Sequence, residues 1–203
     1  MSEPTVFIVD DDQAVVRSLR WLIETVRLRV ETFASAQAFL DGYDSSKPGC
    51  LVLDVRMPGM SGLELQKRLA ARPIHVPIIF ITGHGDVQMA VRAVQSGAFD
   101  FIEKPFNDQD LLDRIQKGIV FDAEQRGSEA QRAQLHARFA SLTPREREVL
   151  DLVVEGMSNK VIANTLRLSA KTVEVHRAKV MEKMHARSIS DLVKMAMQET
   201  ALP

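Results

Sequence analysis

Several polar residues stand directly behind short apolar runs, and their types suit phosphoryl chemistry. Val6 to Val9 leads into Asp10-Asp11-Asp12, Cys50 to Leu53 into Asp54, Pro77 to Ile81 into Thr82, and Phe99 to Ile102 into Glu103-Lys104-Pro105. Carboxylates crowded within a few ångströms repel one another. The cheapest relief is a hard divalent cation with oxygen ligands, Mg²⁺ or Mn²⁺, which keeps waters and leaves room for a phosphoryl oxygen. A carboxylate held there can attack phosphorus while a lysine and a hydroxyl neutralise the equatorial oxygens. In this reading Asp54 is the nucleophile, Asp10 and Asp11 hold the metal, Lys104 supplies a point charge and Thr82 a hydroxyl. Asp12 reads as a helix cap. No Gly-rich phosphate loop, Cys/His metal pattern or Ser/His/Asp order competes with this set.

The elements that must position these residues follow from periodicity. The apolar runs, together with Val30 to Phe33, are short and bounded by turn residues, as strands buried on both faces of a parallel sheet are. Between them lie helical patterns: Val15, Val16, Leu19, Leu22, Ile23 and Val26 behind Asp12; Phe39 and Leu40 behind Ser35; Leu63, Leu65 and Leu69; Val87, Met89, Val91 and Val94, closed by Gly97; and Leu111, Leu112, Ile115 and Ile119. After Asp54 the chain turns at Pro58, Gly59 and Gly62, and Ser61 with Glu64 predicts a capping box. Five strands alternating with five helices predict a doubly wound α/β domain with a five-stranded parallel sheet, right-handed crossovers and its site above the carboxyl ends of the strands. Cys50, the one cysteine, falls in a buried strand and reads as a small core hydrophobe.

The 203 residues allow one large or two small domains, with an ordinary 45% apolar content. No apolar run approaches the length of a membrane span and the start lacks the regions of a secretory signal, so a cytoplasmic protein is expected. The net charge of −1 hides an asymmetry: residues 1 to 122 carry 13 Lys and Arg against 17 Asp and Glu, and residues 123 to 203 carry 13 against 10. A basic second part suits contact with a polyanion.

Past Asp122 the apolar residues thin out to alanines and Leu135, which predicts a polar helix continuing the fifth, with a joint near Gly127-Ser128 as the alternative. Leu142-Thr143-Pro144-Arg145-Glu146 carries a threonine cap, a first-turn proline and a capping-box glutamate. A helix follows with Val149, Leu150, Leu152 and Val153, then a short one capped by Ser158 and a third capped by Ser169. The tight turn between the last two predicts helix-turn-helix geometry. On the third helix Val173, Val180 and Met184 form an apolar stripe, with His176 beside it as a structural residue. Lys171, Glu174, Val175 and Ala178 lie on the far side, flanked by Thr172, Arg177 and Lys179. In a major groove, the basic side chains would meet phosphates and the outer residues base edges. The expected divisions are residues 1–121, a helical linker 122–140, and a small all-α domain 141–203.

At Val9-Asp10-Asp11-Asp12, Asp54 to Gly62, Thr82-Gly83-His84-Gly85-Asp86 and Glu103-Lys104-Pro105-Phe106 the chain resembles the receiver domain of bacterial two-component response regulators. Residues 141 to 198 resemble the DNA-binding domain of the FixJ/LuxR type. The resemblance implies that Asp54 accepts a phosphoryl group from a sensor histidine kinase, that Asp11, Asp54 and the Arg56 carbonyl ligate Mg²⁺, and that the Lys104-Pro105 bond is cis. It further implies that Thr82 moves inward and Phe101 turns into the vacated space. The face from Val87 to Glu103 then pairs in a homodimer, and slow self-dephosphorylation ends the signal. Promoter DNA and RNA polymerase are the implied partners, transcriptional activation is the implied output, and the helix about Ser190 to Met197 pairs DNA-bound copies. Glu174 and Ala178 stand where some relatives carry lysine. A Mg²⁺-dependent phosphatase, or a receiver with an RNA- or protein-binding output, are the alternatives.

Overall fold

The computed structural model describes residues 3–72, 74–83 and 87–200. It divides into two compact units, Met1–Arg126 and Gly127–Pro203. In the first, strands β1 (Thr5–Val9), β2 (Arg29–Phe33), β3 (Gly49–Asp54), β4 (Ile78–Thr82) and β5 (Asp100–Glu103) alternate with helices α1 (Gln13–Thr25), α2 (Ala36–Gly42), α3 (Gly62–Ala70), α4 (Val87–Gln95) and α5 (Asp108–Ala140). All strand pairs are parallel, in the order β2-β1-β3-β4-β5.

Successive side chains along a strand point to opposite faces, and both faces are covered. Phe7, Val9, Leu51, Leu53 and Phe80 enter one core with Phe39 and Leu65, whereas Val6, Ile8, Val52, Ile79 and Ile81 enter the other with Ile23, Leu111 and Ile115. Burying each such side chain contributes about 1.5–3 kcal/mol, so the centre of the sheet is the rigid part of the unit. Cys50 belongs to the second core, where burial pushes its thiol well above the ordinary range.

The caps form where the sequence placed them: Asp12 accepts from Ala14 N–H, Ser35 from Ala38 N–H and Ser61 from Glu64 N–H. The expected box at Ser61 is only half made, because the Glu64 carboxylate pairs with Arg68 one turn on, at 2.7 Å. Helix α5 runs unbroken through Gly118 and Gly127. At Gly118 the reason is packing: a Cβ there would lie 3.3 Å from the Cβ of Cys50, so glycine lets the helix approach β3 closely.

At the amino edge of the sheet the middle of α5 is tied down. Asp122, 1% exposed, accepts from Gly49 N–H at 2.8 Å and from Arg126 Nε at 2.8 Å. Arg126 also donates to the carbonyls of Ser45 at 3.0 Å and Lys47 at 2.9 Å. Beside this cluster, burial pushes the Tyr43 phenol up to about 12.

The second unit contains the last turns of α5 and helices α6 (Pro144–Val154), α7 (Asn159–Leu166), α8 (Ala170–Met184) and α9 (Ile189–Thr200). Phe139, Val149, Leu150, Val153, Ile162, Val173, Val180, Met184 and Leu192 form its core. Of the three apolar residues expected on the last helix, Leu192 is buried, Val193 half-buried and Met197 67% exposed. Both halves of the Thr143–Glu146 capping box are present, Ser158 and Ser169 cap α7 and α8, and α7 ends on Arg167 in the left-handed region at φ 54°. Among the described residues no helix is long and apolar enough to cross a membrane.

Candidate functional site

The register carries the polar strand ends to one edge. Val9 pairs with Leu53, Asp54 with Ile81 and Thr82 with Glu103, so the residues at or just past the ends of β1, β3, β4 and β5 meet at the carboxyl side of the sheet. There the Lys104 ammonium lies 3.1 Å from Asp54 Oδ1 and 3.5 Å from Asp10 Oδ2. The remaining oxygens are also engaged: Asp10 Oδ1 accepts from Asp12 N–H at 2.8 Å and Asp54 Oδ2 from Arg56 N–H at 2.7 Å. The Asp54 side chain is 14% exposed and that of Asp10 5%. Desolvation raises the Asp10 carboxyl above its ordinary 3.8, offset in part by the Asp12 N–H and by Lys104. Two carboxylates this close repel one another, a cation standing between them offsets that repulsion, and the Lys104 ammonium stands there.

Asp11 is exposed and stands outside this triad. Among the described residues no three His, Cys, Asp or Glu side chains converge on a common point where a metal could sit. The donors at the edge are nonetheless all oxygen, and the desolvated Asp10 carboxylate is the kind of group a hard divalent cation relieves, so the set fits such an ion. Thr82 is 5% exposed and its hydroxyl donates to the Gly83 carbonyl at 3.3 Å. Phe101, half-buried, packs on the first core and is paired in the ladder with Phe80. The Lys104-Pro105 peptide is cis. Of the Thr82 to Asp86 motif, His84, Gly85 and Asp86 lie outside the described residues.

The chain from Arg56 back to Asp54 folds as it does because Gly62 is pressed against the strand. A Cβ there would stand 2.3 Å from the Asp54 carbonyl oxygen, and Gly62 N–H donates to the Val55 carbonyl at 3.0 Å. This close approach, and the Arg56 N–H on Asp54, were missed by sequence reasoning, which saw Gly62 only as a turn residue and Arg56 only as a carbonyl donor.

In the second unit α7 and α8 are joined by Arg167, Leu168 and Ser169. Val173, Val180 and Met184 face the core and Lys171, Glu174, Val175, Ala178 and Lys179 are exposed. The flanking residues are partly engaged. Thr172 and Ser169 hydroxyls lie 2.7 Å apart, and Arg177 donates to Asn159 Oδ1 at 2.7 Å, which ties α8 to the start of α7. His176 Nδ1 is buried and, among the described residues, has no hydrogen-bond partner. A second tie, invisible in the sequence beyond the capping box, joins α8 to α6: Lys183 donates to Glu146 at 2.6 Å and to the Ser141 carbonyl at 3.0 Å.

Comparison with known proteins bears on both units. Residues 6–116 match the family model of the response regulator receiver domain, and residues 140–196 that of bacterial regulatory proteins of the luxR family. The chain belongs to the response regulators. It is 48% identical over 198 residues to the transcriptional regulatory protein FixJ of Azorhizobium caulinodans, covering 98% of this chain and 94% of that protein. It is 46% identical over 192 residues to the response regulator protein TmoT of Ectopseudomonas mendocina, covering 95% and 87%. Among solved structures, response regulator StyR superposes with a TM-score of 0.93 at 47% identity, over 97% of this chain and 100% of that one. This response regulator is of the FixJ/LuxR type, a DNA-binding regulator of transcription in two-component signalling, and its partners are a sensor kinase and DNA.

Proposed function

We propose that the response regulator stores its signal as an acyl phosphate on Asp54 and spends it on dimerisation and promoter binding. The observation that carries this reading is the Lys104 ammonium standing between the carboxylates of Asp54 and Asp10. An Asp54 oxygen attacks the phosphorus of a kinase phosphohistidine; the P–O bond forms as the P–N bond breaks, and the electron pair leaves with the imidazole. Lys104 follows the charge onto the phosphoryl oxygens. When bound, Mg²⁺ or Mn²⁺, held by Asp10, Asp11, Asp54 and the Arg56 carbonyl, supplies further neutralisation of those oxygens.

The phosphoryl group adds about 1.5–2 negative charges and three strong acceptors. Thr82 exchanges its long bond to the Gly83 carbonyl for one of them. Phe101 then turns into the space the threonine leaves, and the face formed by α4 and β5 is reshaped into the contact of a homodimer. Slow hydrolysis of the acyl phosphate, a weak autophosphatase activity, resets the site. The output is a helix-turn-helix in the major groove: Lys171, Arg177 and Lys179 on phosphates, Thr172, Glu174 and Val175 toward the bases, with RNA polymerase recruited to activate transcription in the cytoplasm. Residues 1–121 act as the receiver, 122–140 as a helical linker and 141–203 as the DNA-binding domain.

The test pairs sizing with selection from a random duplex pool, using protein treated with a small phosphoryl donor and Mg²⁺, beside Asp54→Ala. The unsubstituted protein gains mass, dimerises and enriches a two-fold-symmetric sequence; Asp54→Ala does none of these. If Asp54→Ala matches the unsubstituted protein, the phosphoacceptor is misassigned.

A further inference from the structure

We propose that Glu174 and Val175 choose the base pairs that α8 accepts: Glu174 requires a cytosine, and Val175 takes the methyl group of a neighbouring thymine. The inference rests on the reading of α8 as a major-groove helix. At about 100° per residue, Lys171, Glu174, Val175 and Ala178 fall within an arc of about 100°, on the side opposite the buried Val173, Val180 and Met184. Glu174 lies in the second turn after the Ser169 cap, within the stretch of a recognition helix that reaches base edges.

The chemistry offered there is narrow. Among the described residues the Glu174 carboxylate makes no hydrogen bond or ion pair, while its neighbours Thr172 and Arg177 are engaged within the unit. Val175 is 48% exposed and purely apolar. An ionised carboxylate only accepts hydrogen bonds. Guanine presents two acceptors in the major groove, thymine an acceptor and a methyl group, and adenine sets its amino donor beside the N7 acceptor; cytosine offers its N4 amino group alone. A carboxylate brought among phosphates without such a donor is desolvated and repelled, so Glu174 discriminates chiefly by penalising the wrong pair. Val175 has one apolar partner available on a base edge, the thymine C5 methyl.

The test uses the full chain treated with a small phosphoryl donor and Mg²⁺, as the unsubstituted protein, Glu174→Ala and Glu174→Gln. Each is put through duplex-pool selection and then titrated by fluorescence anisotropy. The unsubstituted protein enriches half-sites with an invariant C·G pair, and exchanging that pair for T·A weakens binding by about tenfold or more. Replacing the adjoining thymine by deoxyuridine, which removes only the methyl group, also weakens it. Glu174→Ala loses the preference at the C·G position and, having shed a negative charge, binds non-specific duplex more tightly. Glu174→Gln moves the preference toward adenine. A Glu174→Ala motif with every position as sharply defined as before overturns the proposal and leaves the proposed function standing. An unsubstituted protein that enriches no sequence overturns both.

Discussion

Glu146→Gln isolates the tie that holds the start of α6 to the last turn of α8. The Glu146 side chain is 4% exposed; its Oε2 accepts from Lys183 Nζ at 2.6 Å and from Thr143 N–H at 2.8 Å. The Lys183 bond, followed by the Thr143 N–H, lowers the carboxyl from its ordinary 4.5 to about 2. A hydrogen bond to a charged group contributes about 1.5–3 kcal/mol, and because the Lys183 side chain is 33% exposed the cost of the substitution falls near the low end, about 1.5 kcal/mol. For a unit of this size that lowers the midpoint by about 6–12 °C. The pH dependence has a definite sign. The folded value lies below the unfolded one, so the stabilisation is complete above about pH 4.5 and is lost as the pH falls through the folded value near 2. The one tryptophan, Trp21, and the one tyrosine, Tyr43, are both in the first unit. Tryptophan fluorescence therefore follows that unit alone, while far-ultraviolet circular dichroism also follows the second. The expected result is a lowered dichroism transition with an unmoved fluorescence transition, and a gap between variant and parent that is widest at pH 7 and narrows toward pH 3. A gap of equal size at both values refutes the assignment of the lowered carboxyl to this tie.

Two further substitutions test the first unit. Gly62→Ala drives a Cβ to 2.3 Å from the Asp54 carbonyl oxygen; overpacking of this kind costs about 1–3 kcal/mol, read as a lower urea midpoint by Trp21 fluorescence, and slows phosphoryl uptake because the Asp54 backbone must shift. Arg126→Ala leaves the 1% exposed Asp122 with Gly49 N–H as its remaining partner. Because the Arg126 side chain is 31% exposed, losing the cation costs about 1.5 kcal/mol, measured in the same way, and an unchanged midpoint would show that Asp122 is satisfied without it.

The fold was legible in the sequence because each central strand is apolar on both faces, and α1, α2, α3, α6, α7 and α8 each open on a hydroxyl or carboxylate cap whose partner lies two or three residues away. Asp10, Asp54, Thr82 and Lys104 could be gathered at one edge because parallel strands bring all their carboxyl ends to the same side. Asp11 shows where that reasoning stops: it lies past the end of β1 and is exposed, and strand periodicity does not say where its side chain goes. The contacts that stayed hidden depend on residues far apart in the chain. Asp122 meets Gly49, Arg126 meets Ser45 and Lys47, and Arg177 meets Asn159 through side-chain geometry that no periodicity encodes. Glu64 shows the converse case, a local pattern that promised a reciprocal cap and was outbid by Arg68 one turn away.

The acid pair and its ammonium are contributed by chain segments made at different times. Asp10 follows β1, Asp54 ends β3, and Lys104 arrives only after β5. A chain still on the ribosome, or one cut before its fifth strand, carries both acids with nothing between them, and without β5 the edge that gathers them is unfinished. On the proposed function, competence to take up the signal thus comes with the last strand to be synthesised, and an unfinished or clipped receiver would leave the phosphate to the intact ones.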